Sequence, residues 1–309
     1  MTAAPGAPTA TGPIAWLRLV RLSNAPTAAS SALVGCVAGA GATPDPLKAT
    51  LCVGGSMLLY AGGMVMNDYF DQPIDRVERP GRPIVSGQVS ETAAMITGMV
   101  LLVAGTIALL ATTPPVLPWA LLLVSSILAY NLLHRSDIAG PALMACCRAL
   151  VPTISAIACA PEGRPDWGLL AFFAMPLAMH TVAVSIAARH EAESVREVRA
   201  TRMAIAAAIA GVAALAPLGA LALGQVQPMP TSRLPVYLGA IGLAGWLLLR
   251  GLRAMVQPMG TPRGVMSWIA AIAAVDAASM LLLGSVPLAW VALGLAVITI
   301  ALQRRITGS

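Results

Sequence analysis

Charged and aromatic residues are both scarce in this 309-residue chain, and their scarcity excludes a soluble protein. Asp, Glu, Lys and Arg together make up 10% of the residues, and Phe, Trp and Tyr make up 4%. A soluble globular domain carries about a quarter of its residues as charged side chains. Here 58% of the residues are hydrophobic and the mean hydropathy is +0.80. The composition therefore predicts an integral membrane protein rather than two soluble domains.

The five cysteines lack the paired spacings of a zinc site. All of them lie inside apolar runs: Cys36, Cys52, Cys146, Cys147 and Cys159. Buried thiols usually act as small hydrophobic side chains. We therefore interpret them as core residues and expect no metal site among them.

The N-terminal region lacks the pattern of a signal peptide. Trp16, Arg18, Arg21 and Asn24 interrupt the first apolar stretch, and no short apolar core leads to a small-residue cleavage site. Residues 1–13 are rich in Ala, Pro and Thr, which predicts a disordered tail. Residues 14–306 are expected to form a single transmembrane domain.

Ten apolar stretches are long enough, or nearly so, to cross a bilayer, which takes about 20 residues as a helix. They cover residues 15–41, 49–67, 91–112, 116–133, 138–160, 167–189, 200–223, 234–255, 264–283 and 287–303. Short stretches with Pro and Gly separate them at 112–116, 161–167 and 284–287. The pattern predicts an all-α multi-pass membrane protein.

The formal charge of +6 and the pI near 9.5 report topology and not a nucleic-acid partner. If the helices alternate in direction, 15 of the 19 Lys and Arg residues fall on one side and only Lys48, Arg164 and Arg233 fall on the other. Cytoplasmic loops carry such an excess. We therefore predict that both termini and the polar loop around residue 75 face the cytoplasm.

That polar loop, "NDYFDQPIDRVERPGRPIVSG" at 67–87, concentrates acids beside the membrane. Asn67, Asp71 and Asp75 are spaced i, i+4, i+8, which would align them on one helix face, with Asp68 close by. Pro73 predicts a bend or an unwound turn between Asp71 and Asp75. Clustered carboxylates repel one another unless a cation lies among them, and hard oxygen ligands suit Mg²⁺.

A simpler interpretation is a solvated loop whose acids pair with nearby arginines. Arg76, Arg79 and Arg82 are available for such pairs. Surface ion pairs stabilise a protein by only about 0–1 kcal/mol, however, so they do not account for acids at helical spacing. Acids that hold Mg²⁺, together with Arg79 and Arg82, would form a diphosphate clamp.

The loop resembles the NDxxDxxxD and RPxxSG signature of the UbiA superfamily of intramembrane prenyltransferases. "WLRLVRLSNAPTA" at 16–28 resembles the first helix of that family, with Asn24 where a polar residue faces the cavity. "AYNLLHR" at 129–135 resembles the segment after its fourth helix, with His134 and Arg135 at a basic contact. Tyr130 would cap the cavity or orient the diphosphate, and an ordinary interfacial tyrosine is the alternative. The resemblance implies a barrel of nine core transmembrane helices, and the tenth apolar stretch would pack outside it.

The resemblance also implies the chemistry. In such enzymes an isoprenyl diphosphate is bound through Mg²⁺ between two acidic loops, and its chain lies among the helices. We expect Asn67, Asp68, Asp71 and Asp75 to hold the metal and Arg82 to neutralise the departing diphosphate. The partners would be an isoprenyl diphosphate, a hydrophobic acceptor that is aromatic or lipid-like, and the bilayer.

The second polar loop, "SIAARHEAESVREVRATR" at 185–202, departs from the family pattern because it has few acids. Glu191 is a candidate substrate contact and Glu193 a candidate metal ligand, whereas an amphipathic interfacial segment is the alternative. This loop, together with "AGPALMACCRAL" at 139–150, resembles the EboC-type subgroup of the superfamily.

Arg148, Asp276 and His180 lie well inside predicted spans, where ionisable groups are usually functional or paired. Arg148 needs a partner such as the diphosphate or Asp276, and it is a candidate substrate contact. Asp276 is expected to be a structural partner or a cavity residue, and His180 a hydrogen-bonded core histidine.

Prenyl transfer is the leading functional hypothesis, and two alternatives stay open. A terpene cyclase of the same fold would act on the isoprenyl diphosphate alone, without an acceptor. A lipid or metabolite transporter would fit the ten apolar stretches, but it would not explain the acidic loop.

Overall fold

A computed structural model describes residues 12–189, 196–257 and 260–306, with only the backbone described for 196–200. The first seven α-helices are α1 Pro13–Leu19, α2 Ala25–Ala40, α3 Pro46–Phe70, α4 Gln72–Glu78, α5 Glu91–Leu110, α6 Leu117–Leu133 and α7 Ala139–Cys159. The remaining six are α8 Trp167–Arg189, α9 Arg196–Leu215, α10 Leu218–Ala222, α11 Leu234–Met255, α12 Thr261–Leu282 and α13 Val286–Arg305.

The described part of the chain contains helices and no strands, as the hydropathy pattern predicts. Eight helices are long and apolar enough to cross a membrane: α3, α5, α6, α7, α8, α11, α12 and α13. Two shorter apolar helices cover Ala25–Ala40 and Thr201–Leu215. Helices satisfy their own backbone groups, which lipid cannot do. The chain is therefore an all-α, multi-pass membrane protein.

Most helix boundaries lie within a few residues of the predicted ones, but the first prediction is wrong in part. The stretch 15–41 is not one helix, because α1 ends at Leu19 and α2 begins at Ala25. Arg21 between them has a left-handed backbone, with φ 47°, which a continuing helix does not permit. The stretch 200–223 is also divided, since α9 ends at Leu215 before Pro217.

Glycine allows α2 and α7 to pack with their backbones in contact. A methyl group added to Gly35 would lie 2.1 Å from the carbonyl oxygen of Pro152, and one on Gly39 would lie 2.2 Å from that of Ala156. Small residues four positions apart are a common means of close helix packing in membranes. This contact fixes α7 against α2, and both helices carry residues of the cavity described below.

A buried carboxylate joins α12 to α2. Asp276 is 7% exposed and accepts hydrogen bonds from the hydroxyl groups of Ser30, at 2.6 Å, and Ser31, at 2.9 Å. This is the structural role expected for Asp276. His180 of α8 is also buried, and its Nε2 lies 2.9 Å from the carbonyl oxygen of Trp268 in α12. It is a hydrogen-bonded core histidine, as expected.

The last helix packs at the periphery, against α12 and α2. Only four residues of α13 are buried: Ala289, Ala292, Ala296 and Thr299. Near its end, Nε2 of Gln303 donates to Oδ1 of Asn24 at 3.0 Å. The C-terminal end of α13 therefore lies at the same end of the helix bundle as the start of α2.

Candidate active site

The acidic residues gather at the junction of α3 and α4. Helical hydrogen bonds cross this junction, because the amide of Asp71 donates to the carbonyl of Asn67 and that of Asp75 donates to the carbonyl of Asp71, each at 2.9 Å. The interruption falls on Asp71 itself and not after it. Pro73, in the first turn of α4, needs no amide hydrogen there. The acids thus keep their helical spacing despite the break.

Arg82 bridges these carboxylates. Its Nη1 lies 2.8 Å from Oδ1 of Asp68, 2.8 Å from Oδ2 of Asp75 and 4.0 Å from Oδ2 of Asp71. The Arg82 side chain is only 3% exposed. Its backbone is held by the turn that follows α4, where the hydroxyl of Ser86 donates to the carbonyl of Arg82 at 2.8 Å. The RPxxSG sequence therefore positions this arginine over the acids.

Arg21 is a second cation at the site, and the sequence interpretation missed it. Its Nη2 lies 3.3 Å from Oδ1 of Asn67 and 3.2 Å from Oδ1 of Asp68. A left-handed backbone is uncommon outside glycine and often marks a functional site. In this conformation, Arg21 reaches α3 from 46 residues earlier in the chain.

His134 completes the first ring of contacts around the acids. Its Nε2 lies 3.2 Å from Oδ1 of Asp71. Arg189, at the end of α8, donates to the carbonyl oxygen of His134 and pairs with Asp137 at 3.0 Å. Through these contacts, Arg189 of the second polar loop lies close to the acidic cluster.

Burial dominates the electrostatics of the cluster. It raises the pKa of the Asp71 carboxyl, although His134 and Arg82 favour the charged form, and it raises the pKa of Asp75 despite the ion pair with Arg82. Burial also lowers the pKa of the Arg82 guanidinium, although Asp68 favours its charged form. Removing these charged groups from water is therefore costly, and opposite charges offset only part of that cost.

A cavity of about 170 Å³ adjoins the acidic cluster. Arg21 is part of its wall and also contacts Asn67 and Asp68, so the cavity and the cluster share a boundary. The polar lining includes Asn24 and Tyr130, two of the predicted substrate contacts. Most other lining residues are apolar, including Ala28, Leu59, Met64, Leu123, Ile127, Val151 and Ile269. Asn131, Tyr60 and Ser56 are lining residues that the sequence interpretation did not identify.

Arg148 also lines the cavity, where the diphosphate or Asp276 was its expected partner. It forms no ion pair with Asp276, whose oxygen is bound by Ser30 and Ser31. Instead, Nη1 of Arg148 donates to the hydroxyl of Thr27 at 3.1 Å, and the guanidinium lies 5.7 Å from the centre of the Tyr60 ring.

The structure does not bring several predicted residues to the cluster. Arg79 is exposed at the end of α4, without a side-chain hydrogen bond or ion pair in the described part of the chain, although its charge still acts on Asp75 and Arg82. Arg135 is also exposed and pairs with Glu78 at 3.7 Å. Proximity in sequence did not decide which arginine faces the acids. Glu191 and Glu193 lie outside the described residues.

Cys36 and Cys52 are buried core residues as expected, whereas Cys146, Cys147 and Cys159 are only partly buried, and three of the five cysteines meet. The sulfur atoms of Cys36, Cys52 and Cys159 all lie within 4.8 Å of one another, at the contact of α2, α3 and α7. Residues so far apart in sequence give no spacing signal, so the sequence did not predict this cluster.

The acidic cluster has the donor chemistry that Mg²⁺ requires. Asp68 and Asp75 each use one carboxylate oxygen to contact Arg82, and within the described residues Asp68 Oδ2 and Asp75 Oδ1 accept no hydrogen bond. The three carboxylates there contact two guanidinium groups and the imidazole of His134. Carboxylate oxygens with free lone pairs, on acids that lie close together, suit a hard divalent cation.

Comparison with known proteins identifies the family. A sequence profile described as the UbiA prenyltransferase family matches residues 28–261, more than half of the chain. Digeranylgeranylglyceryl phosphate synthase of Methanothrix thermoacetophila is 36% identical over 89 residues, which is 29% of this chain and 33% of that protein. The matched region thus spans about a third of the length of that relative.

Two solved structures have the same fold at low sequence identity. A UbiA homolog from Aeropyrum pernix K1, in its apo form, aligns with a TM-score of 0.63 and 14% identity, over 83% of this chain and 95% of that one. A UbiA homolog from Archaeoglobus fulgidus bound to DMAPP and Mg²⁺ aligns with a TM-score of 0.57 and 11% identity, over 83% and 98%. The profile match agrees with the helical architecture and with the acidic junction of α3 and α4. The chain therefore belongs to the UbiA prenyltransferase family.

Proposed function

We propose that the protein transfers an isoprenyl group from an isoprenyl diphosphate to a hydrophobic acceptor within the membrane, with Mg²⁺ as cofactor. The observation that carries this proposal is the position of the buried acidic cluster at the boundary of an apolar cavity. A substrate with a diphosphate head and an isoprenoid chain requires both features side by side. The Archaeoglobus homolog bound to DMAPP and Mg²⁺ supports the assignment of donor and metal.

The acidic cluster would bind the diphosphate end of the donor. Asn67, Asp68, Asp71 and Asp75 are the residues that would hold Mg²⁺, which would neutralise the diphosphate and help it leave. Arg82 and Arg21 lie beside these acids and add positive charge where the leaving group gains negative charge. Stabilising a charge that develops during the reaction is typically the largest contribution of such groups.

The cavity would hold the isoprenyl chain and protect the allylic cation that forms when the C–O bond to the diphosphate breaks. Its apolar walls exclude water, which would otherwise capture the cation. The electron pair of that bond leaves with the diphosphate, and the nucleophilic atom of the acceptor supplies the pair that forms the new bond. The proton that this atom loses passes to an oxygen of the released diphosphate. Tyr130 lines the cavity beside His134 and would orient the reacting groups.

The finer assignments are proposals of the same kind. The names of the relatives favour a prenylated glyceryl phosphate as acceptor. The scarcity of acids in the second polar loop supports placement in the EboC-type subgroup, with Glu191 and Glu193 in a secondary role. The excess of Lys and Arg in alternate loops supports a cytoplasmic acidic site and cytoplasmic termini, and residues 14–306 would act as a single domain.

The test is purified protein with Mg²⁺, an isoprenyl diphosphate and a prenylated glyceryl phosphate. Asp75→Asn should lower turnover by about 100-fold or more, because it removes the charge of one proposed ligand. Glu78→Gln is the matched control, since this glutamate lies one turn away on α4 and is 58% exposed. Equal turnover in wild type and Asp75→Asn would contradict the proposal, and product formation without acceptor would indicate a cyclase.

A further inference from the structure

Arg148 places a positive charge near the middle of a membrane-spanning helix. It is the tenth residue of α7, which covers the 21 residues Ala139–Cys159. Helix α7 is among those long and apolar enough to cross the membrane. A cation at this depth is costly unless it faces a polar cavity or an anion. The contacts of Arg148 therefore indicate what the cavity is built to bind.

The direct contacts of this guanidinium are all with neutral groups, and the Asp276 carboxylate acts on it only at longer range. Nη1 donates to the hydroxyl of Thr27 at 3.1 Å, and the ring of Tyr60 lies beneath the group at 5.7 Å. Among the residues whose side chains are described, 12–189, 201–257 and 260–306, no carboxylate lies within 4.0 Å of it. Asp276 accepts from two serine hydroxyls instead. The charge thus lacks a direct counter-ion in the described protein.

Arg148 keeps most of its hydrogen-bond donors free in the wall of the cavity. An arginine has five N–H donors, and only one nitrogen of Arg148 has a hydrogen-bond partner in the described part of the chain. The other guanidinium nitrogens are not buried, and the residue forms part of the cavity wall. A planar guanidinium with free N–H groups is suited to bidentate binding of a carboxylate or phosphate.

Arg148 lies too deep to serve the leaving diphosphate. It stacks on Tyr60, which precedes Asn67 by seven residues on α3. At about 1.5 Å per residue this separation is about 10 Å along the helix. Arg21 and Arg82 already contact the acids at the diphosphate end. An anion at Arg148 would therefore belong to a different group from the diphosphate.

We propose that Arg148, with the hydroxyl of Thr27 beside it, binds an anionic oxygen group of the acceptor, either a phosphate monoester or a carboxylate. This inference rests on the proposed function, because it assigns the second substrate of the same cavity. The acceptor anion offsets the buried charge of Arg148, and its position sets the orientation of the nucleophile. Neutral acceptors of similar shape leave the guanidinium unpaired and bind more weakly.

The experiment compares two matched pairs of acceptors. One pair is geranylgeranylglyceryl phosphate and geranylgeranylglycerol, and the other is 4-hydroxybenzoate and 4-hydroxybenzyl alcohol. Binding is measured as the ligand-induced rise in denaturation temperature of purified protein, and transfer is measured with geranylgeranyl diphosphate. The wild type should bind the anionic member of one pair more tightly than its neutral partner. A preference in the glyceryl pair identifies a phosphate as the bound group, and a preference in the benzoate pair identifies a carboxylate.

Three variants assign the preference to Arg148. Arg148→Gln should reduce the preference for the anionic member by about 30-fold or more, and Arg148→Lys should restore part of it. Arg250→Gln is the matched control, because Arg250 stacks on Trp246 at 5.3 Å and does not line the cavity. Its preference should equal that of the wild type.

Two results would overturn the inference. One is a wild type that binds the anionic and neutral members of both pairs equally well. The other is an Arg148→Gln variant that keeps the full preference. Release of diphosphate from the donor without acceptor, measured in the wild type, reports separately on the proposed function. A wild type that binds the anionic acceptor but never releases diphosphate would refute the proposed reaction and leave the anion site supported.

Discussion

Replacing Arg82 tests whether one guanidinium holds the acidic cluster together. The Arg82→Gln substitution keeps much of the side-chain volume and removes the charge that contacts Asp68 and Asp75 at 2.8 Å each. At an effective dielectric constant of about 20, each contact corresponds to about 6 kcal/mol of Coulomb energy. Desolvation of the buried guanidinium cancels much of this gain. Breaking such a buried pair typically costs about 3–5 kcal/mol, because uncompensated charges remain.

We therefore expect Arg82→Gln to lower the free energy of unfolding by about 3–5 kcal/mol in the absence of divalent ions. Addition of Mg²⁺ should recover part of this loss, because the same carboxylates would bind it. Thermal denaturation in detergent, followed by the loss of helical circular dichroism, measures both effects. Arg79→Gln is the control, since this exposed arginine lies three residues earlier and contacts none of the acids.

Two outcomes would refute this reasoning. Equal stability of Arg82→Gln and Arg79→Gln would mean that the cluster does not depend on Arg82 for charge compensation. If Mg²⁺ stabilises neither the wild type nor Arg82→Gln, the carboxylates do not form a divalent cation site.

Three further predictions address packing, the second loop and topology. Gly35→Ala should lower the free energy of unfolding by about 1–3 kcal/mol, because the added methyl group would meet the Pro152 carbonyl. Gly54→Ala is the control in the same denaturation assay, and it should be neutral or stabilising because Gly54 has open space around it. Glu191→Gln should reduce prenyl transfer less than Asp71→Asn does, and a larger loss at Glu191 would show that the second loop contributes more than its few acids indicate. A cysteine at Ser309, in a background without the five native cysteines, should resist a membrane-impermeant thiol reagent in intact cells, and efficient labelling would place the C-terminus outside.

Much of the fold follows from hydropathy because the bilayer sets both the length and the composition of a spanning helix. The prediction of 167–189 and 234–255 matches α8 and α11 residue for residue. The break between α1 and α2 was not predicted, because its cause is the backbone conformation of Arg21. Hydropathy carries no information on such a turn.

The candidate site was predictable where its residues are neighbours in sequence. Helical spacing brought Asp71 and Asp75 together correctly, and both are buried in the structure. The role of Arg21 was missed because it reaches the acids from a distant helix. Arg79 was assigned to the clamp, but the turn after α4 directs Arg82 inward and leaves Arg79 exposed. Such choices depend on tertiary contacts.

The two hydrogen bonds that Asp276 accepts from Ser30 and Ser31 have a consequence for redesign of this protein. Ser30 and Ser31 lie one turn after Thr27 on α2, and Thr27 holds Arg148 in the cavity. A substitution at Asp276 would therefore remove two hydrogen bonds that help to position α2 and its Thr27, although Asp276 itself does not line that cavity. Libraries intended to change the acceptor should accordingly include positions on α12. Residues outside the cavity wall can alter its shape as effectively as those within it.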